Sequence, residues 1–421
     1  MAYTEVTETS WFSRIGSSFS GMGFGLILLV TGTGLLWWNE GDFVATRDAL
    51  NETQSAAVEL GDIKTLDPSL NGRVVHASGF ADTQDVITDP VFGVGERAIA
   101  LERKVEFYQW VEHSKSEKKK KLGGGEETVT TYTYEKKWTS RPVQSGQFKD
   151  PAARSGNSNS VLMNVENMTL RASNVTLGAY RLPTFLISSI SGSAPMQVKL
   201  DPEARKALDA NIALPNKEPW QNQPADAALY SFGTQMVNSA LGINEYVHEQ
   251  GDTIYIGKTP SNPQIGDVRV KFKTVPPADI SIIAKLNGDT FEKFVASNGK
   301  DISRLNMGTV SMENMFGKAH SGNSTMTWVL RGVGIILVIA GLKCLLAPLA
   351  VIASVIPLLG SIVGAGTGLV CTLLGLAWSL LIISIAWLRF RPLIGFAMIA
   401  VAVLLIAFLL IKGRSKKLQD A

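Results

Sequence analysis

The chain has 421 residues, enough for two or three units. With 40 Lys and Arg against 37 Asp and Glu, its net charge of +3 offers no electrostatic footprint for nucleic acid, so no nucleic-acid partner is expected. Hydrophobic residues make up 45 % and the mean hydropathy is only +0.13, because apolar residues are gathered at the two ends around a polar middle, the pattern of an integral membrane protein.

Residues 1–18 read as a short cytoplasmic N-terminus. Between Arg14 and Glu40 no residue is charged, and 19–38 reads as a transmembrane helix. About 20 apolar residues at 1.5 Å rise cross a hydrocarbon core of roughly 30 Å. Trp37 and Trp38 close the run, where indoles favour the headgroup level. The run is long for a cleaved signal and its flank is not basic. Gly21, Gly25, Gly32 and Gly34 suit close helix packing.

Residues 39–325 read as an extracytoplasmic, β-rich domain. A short helix is expected over Asp42–Leu60. Extended runs follow at Gly72–Phe80 and Lys104–Glu112, then at Thr128–Trp138. In the second, Val105, Phe107, Gln109 and Val111 alternate with Glu106, Tyr108, Trp110 and Glu112. Lysines at 115 and 118–121, three glycines and two glutamates join it to the third run, which predicts a long hairpin with a solvated tip. Its aromatic residues Tyr108, Trp110, Tyr132, Tyr134 and Trp138 form the candidate interaction surface. Residues 139–160 read as a loop and 201–241 as helical, starting at Asp201-Pro202-Glu203. Strands return at Gly251–Gly257, Gly266–Val275 and Asp279–Leu286. Gly72 with Arg73, and Gly266 with Asp267 and Arg269, are candidate structural motifs at matching positions of two small, OB-like β units around a helical middle. Asp267 and Arg269 share a strand face at i and i+2, which allows an ion pair.

The C-terminal block contains transmembrane segments at 326–346, 367–388 and 392–411. Between the first two, residues 347–366 carry Pro348, Pro357, Gly360, Gly364 and Gly366 and read as a re-entrant or interfacial segment. A two-crossing reading of the uncharged run 344–388 stays open, and would give five spans instead of four. Arg331 and Lys343 are placed to snorkel to the interfaces. Residues 412–421, with Lys412, Arg414, Lys416 and Lys417, read as a basic cytoplasmic tail.

Catalytic chemistry is sparse. His76, His113, His248 and His320 have no metal-ligand spacing, Cys344 and Cys371 lie in apolar runs, and neither a nucleophile elbow nor a phosphate loop is present. No cofactor, metal or catalytic residue is expected, and His76 reads as a structural side chain.

Several segments together resemble the transmembrane protein 43 (LUMA) family: Asn39-Glu40-Gly41, Gly72-Arg73-Val74-Val75-His76, Asp89-Pro90 with Phe92-Gly93-Val94, and Glu106–Glu112. Tyr132, Tyr134 and Trp138, then Pro263 with Gly266–Val270 and Phe272, and finally Trp387-Leu388 with Arg391-Pro392, continue the likeness. The chain departs from the family in residues 1–18 and 347–366. The resemblance implies four spans, a large lumenal domain, self-association and a role in organising membrane proteins. It implies the endoplasmic reticulum or inner nuclear membrane in a eukaryote. In a bacterium it implies the inner membrane with a periplasmic domain. The expectation is a non-enzymatic scaffold whose partners are membrane lipid, other copies of itself and other membrane proteins. A transporter or channel component built on the C-terminal helices is the alternative.

Overall fold

Ser10 ends a strand and begins a helix. Its hydroxyl accepts a bond from Ser13 N at 3.2 Å and so satisfies one of the free donors of helix α1 (Trp11–Ala56). The computed structural model describes residues 2–210, 212, 246–388 and parts of 396–407. Helix α1 runs through the apolar segment without a break and absorbs most of the helix expected at 42–60. Among the described residues three short helices follow, α2 (Pro151–Gly156), α3 (Thr184–Ile187) and α4 (Pro202–Ala210), and then two long ones, α5 (Met312–Ala353) and α6 (Pro357–Leu388). Among the described residues three helices are long and apolar enough to cross a membrane: α1, α5 and the Ile362–Leu388 part of α6. The expected span at 392–411 and tail at 412–421 fall mostly or wholly outside the described residues, as does most of 211–241.

Within 347–366 the backbone is helical on both sides of a turn: α5 continues through Pro348 to Ala353, the chain turns at Ser354–Ile356, and α6 resumes at Pro357. Pro357 stands at the first helical position, where a missing N–H costs nothing, so one proline is tolerated inside a helix and the other starts one.

Helices α1 and α5 are antiparallel and close. Gly25 faces Gly341 and Cys344, and Gly32 faces Gly334 and Leu337. A Cβ on Gly25 would lie 2.7 Å from Cys344 Cβ, and one on Gly32 2.9 Å from Leu337 Cβ. On each helix the two glycines are seven residues apart, so they return to the same face after two turns. Gly21 and Gly34 have open space around them and take no part.

Two sheets form the domain. The first has the order β1 (Tyr3–Thr9), β7 (Glu126–Thr139), β6 (Ala100–Lys120), β14 (Val268–Val275), β13 (Thr253–Ile256), β12 (Val247–Gln250), with β8 (Met168–Arg171) on β6 and β11 (Ala194–Pro195) on β14. Within residues 1–18, Tyr3–Thr9 pairs along the hairpin and α1 begins at Trp11. The second sheet joins β19 (Arg304–Met307), β15 (Ala278–Asn287), β16 (Thr290–Glu292), β10 (Tyr180–Arg181), β9 (Val175–Leu177), β3 (Val74–Thr83) and β2 (Val58–Glu59), and β15 also pairs with β3. That extra pairing closes β3, β9, β10, β16 and β15 into a ring, with β10 and β16 parallel. Two small hairpins, β4 (Val86–Thr88) with β5 (Gly95–Arg97) and β17 (Phe294–Val295) with β18 (Asp301–Ile302), complete the strands among the described residues.

Both sheets contribute to one core, including Val75, Ala77, Phe107, Leu177, Tyr180, Val270, Phe272 and Ile282. Val74 and Ile283 instead meet Ala49 and Leu50 of α1 and Met315 and Phe316 of α5. The helices thus continue out of the apolar zone and pack on the domain. The loop between β17 and β18 grips α1 as well: Asn298 Nδ2 donates to Ala45 O at 2.7 Å, and Ser297 Oγ to Glu52 at 2.6 Å.

Candidate functional site

The hairpin register decides where the aromatic candidates point. Tyr108 opposes Trp138, Trp110 opposes Lys136, Glu112 opposes Tyr134 and Ser114 opposes Tyr132. Directly opposed residues share a face, so Tyr108, Trp110, Tyr132, Tyr134 and Trp138 lie on one side of the ladder, with Val105, Phe107 and Gln109 buried on the other. The same side continues across β14 and β13, because Arg269 opposes Glu106 and Tyr255 opposes Arg269.

Three of the five candidates form a half-exposed patch. Tyr108 packs at a tilt on Trp138, ring centres 5.2 Å apart, and Trp138 meets Tyr255 edge-on at 6.2 Å. The Arg269 guanidinium lies 4.3 Å over the Trp138 ring, and Lys136 lies 4.9 Å over Trp110. Arg269 also donates to Glu106 at 2.5 Å. Burial pushes the Glu106 carboxyl upward, but the bonds and charges of Arg269 and Lys271 outweigh it and hold it below its usual value.

The other two candidates are covered. Tyr132 is 8 % exposed beneath Tyr3, 6.0 Å away, and donates to Glu5. Tyr134 packs on Phe148 at 5.3 Å, donates to Glu112 at 2.7 Å and accepts from Asp150 N at 3.1 Å. Burial, reinforced by the Glu112 bond, pushes its phenol up to about 12.

Asp267 and Arg269 do not pair. Asp267 sits before β14, accepts from the Tyr255 hydroxyl and from Gln264 N at 2.7 Å, and packs against Gly257. A side chain on Gly257 would displace it. Burial raises the Asp267 carboxyl, and raises the Tyr255 phenol that faces it. Gly266 (φ +102°) and Gly72 (φ +80°) both turn the chain into a central strand, but of different sheets. Arg73 O accepts from Leu286 N at 2.9 Å, which extends the β15 side of the ring. The His76 side chain is buried: it bonds Glu59 at 2.6 Å and Val310 O at 2.9 Å and ties the β ring to the start of α5.

A second cluster escaped the sequence reading. Glu40 on α1 is fully buried and takes Arg331 of α5 at two points, 2.6 and 2.7 Å. The Trp387 indole of α6 donates to the same carboxylate, and Phe43 stacks on Trp387 at 5.8 Å. Asn39 Nδ2 donates to Thr327 O at 3.3 Å, and Arg331 lies 4.7 Å over Trp328. Arg331 is therefore a paired interior group and does not snorkel to lipid. The available signal was an acid, a base and an indole, each at the domain-side end of an apolar run. Among the described residues no group of three His, Cys, Asp or Glu could hold a metal ion.

The sequence profile of the transmembrane protein 43 family matches residues 107–392. Transmembrane protein 43 of Rattus norvegicus is 26 % identical over 400 residues, covering 93 % of this chain and 89 % of that protein. The Homo sapiens protein of the same name is 25 % identical over 425 residues, covering 98 % and 95 %. The transmembrane protein 43 homolog of Drosophila melanogaster is 26 % identical over 378 residues, covering 88 % and 89 %. No solved structure matches the chain.

Proposed function

The chain belongs to the transmembrane protein 43 family, and from that membership we propose that it is a non-enzymatic membrane scaffold. It organises membrane-protein complexes by binding partners, and further copies of itself, through the β domain. The observation that carries this reading is the half-exposed row Tyr108, Trp138 and Arg269 with Trp110 and Lys136. Aromatic rings and arginine are the side chains that dominate protein interfaces. Here they sit on the sheet whose strand β1 leads directly into helix α1.

The basic run after residue 411 supports a cytoplasmic C-terminus, with the β core on the extracytoplasmic face. In a bacterium that face is the periplasm; in a eukaryotic cell it is the lumen of the endoplasmic reticulum and nuclear envelope. The ring of β3, β9, β10, β16 and β15 supports an OB-like reading for one unit. The first sheet, open at β1 and β12, lends no such support for a second.

Cross-linking in native membranes tests the scaffold. The wild-type chain is expected to cross-link to itself and to other membrane proteins, and Trp138→Ala with Arg269→Ala to lose the heterologous products while keeping its melting temperature. A wild-type chain that stays monomeric and partner-free sinks the reading.

A further inference from the structure

The hairpin tip is held at the wrong end of the helices for a wholly extracytoplasmic domain. Strand β1 pairs with β7 from Tyr3 opposite Tyr132 to Thr9 opposite Glu126, and only Ser10 separates it from α1. At the tip, Gly123 N donates to Val355 O at 3.2 Å, and the Trp11 indole donates to Val351 O at 3.1 Å. Arg14 donates to Gly124 O and to Ser354 Oγ, the latter at 3.2 Å. Trp11, Arg14 and the α5–α6 turn all lie at the end of the bundle away from the β core.

Lengths make the consequence hard to avoid. From the Tyr108–Trp138 pair to Gly124 the ribbon extends about 50 Å at ~3.3 Å per residue. Trp11 to Glu40 is about 44 Å of helix at 1.5 Å per residue. Both exceed the roughly 30 Å of hydrocarbon that α1 crosses. A single residue between β1 and α1 reaches ~3.5 Å. It cannot carry β1 across a bilayer to meet a hairpin on the far side. The β1–β7 ladder and a hairpin confined to the β-core side therefore exclude each other.

The ribbon cannot face lipid. Its distal strands are built mostly of Thr, Ser, Lys and Glu, and among the described residues β1 is the edge strand of its sheet. Polar strands and open edges at membrane depth need protein or water around them. We propose that the β1–β7–β6 ribbon runs through the depth of the bilayer beside the helices and lines a water-filled passage, with its tip on the face where the chain begins. The ion pairs of Lys121 with Glu8 and Glu127, and of Lys118 with Glu126, keep the tip compact.

Single cysteines in a full-length chain carrying Cys344→Ala and Cys371→Ala decide the matter in sealed membrane vesicles of known orientation. A membrane-impermeant thiol reagent is expected to label Lys119→Cys from the same face as Ala2→Cys, and Leu66→Cys from the opposite face. Thr133→Cys, midway along the ribbon, is expected to react with a small water-soluble thiosulfonate. Labelling of Lys119→Cys from the Leu66 face overturns the proposal, and so does an unreactive Thr133→Cys. Trypsin on the unmodified chain gives an independent reading, since cleavage at Lys118–Lys121 must come from the face of the N-terminus. The scaffold reading survives either result, because its patch lies at the base of the ribbon.

Discussion

Glu40 and Arg331 meet as a two-point pair, 2.6 and 2.7 Å, at 0 % and 14 % side-chain exposure. The pair joins α1 to α5, and the Trp387 indole brings α6 to the same carboxylate. A buried charge loses its hydration, and only a well-aligned partner makes that loss tolerable. The arrangement therefore fixes the rotation of all three helices at the point where they meet the domain.

Removing one partner leaves the other buried and uncompensated. Glu40→Ala should cost about 3–5 kcal/mol, seen as an early thermal transition of the detergent-solubilised chain. Replacing both, Glu40→Leu with Arg331→Leu, should restore most of that loss, since an apolar pair needs no counter-charge. Equal losses in the single and double variants would show that the two residues are not coupled.

The glycine contacts predict a sharp positional contrast. Gly32→Ile places a side chain against Leu337 Cβ and Gly334 O, 2.9 and 3.0 Å from the new Cβ. It should destabilise the bundle by about 1–3 kcal/mol, the usual range for overpacking. A Cβ at Gly21 meets nothing within 4 Å, so Gly21→Ile should leave the melting temperature unchanged. A loss at Gly21 as large as that at Gly32 would contradict the helix rotation described above.

Inside the domain, Arg103 donates to both oxygens of Asp89, at 2.8 and 2.7 Å, and Asp89 also accepts from Val91 N and Phe92 N. Asp89→Asn keeps an oxygen for the backbone but strips Arg103, 3 % exposed, of its counter-charge. The cost should again be about 3–5 kcal/mol, read by denaturant unfolding, while Arg97→Ala, whose partner Asp82 is half-exposed, should cost under ~1 kcal/mol.

Much of this was legible in the residues. Alternation over 104–112 and 128–138 reveals the hairpin and its face, because a strand's period of two is written locally. The strands run further than the alternation tells: Lys115–Lys120 continue β6 and Glu126-Glu127 begin β7, so the turn itself is only residues 121–125. What does not read is any pairing between distant segments. Nothing local in Tyr3–Thr9 says that it will lie along Glu126–Tyr132, and nothing in Glu40 names Arg331 or Trp387. Spacing suggested Asp267 with Arg269, but Asp267 lies just outside the strand, where the i, i+2 rule no longer applies. Pro348 reads as a helix breaker, yet packing of α5 against α1 overrides that local preference.

The phenol of Tyr134 links the ribbon to pH. Burial and the Glu112 bond raise it from its usual value near 10 to about 12. Between those values the folded chain keeps a proton that the unfolded chain has lost. Stability from this group is thus complete below pH 10 and declines as pH rises toward 12 and beyond. Tyrosinate absorbance should show late-ionising phenols in the folded chain, with one fewer in Tyr134→Phe. Tyr255, also raised, remains as the internal reference. Glu112→Gln removes the carboxylate that favours the neutral phenol, so Tyr134 should then titrate earlier while Tyr255 does not move. Because Glu112 also accepts from Lys149 N at 2.6 Å, this variant should loosen the 145–150 segment over Tyr134, measurable as faster amide exchange there. An unchanged Tyr134 titration in Glu112→Gln would mean that burial under Phe148 alone sets the shift.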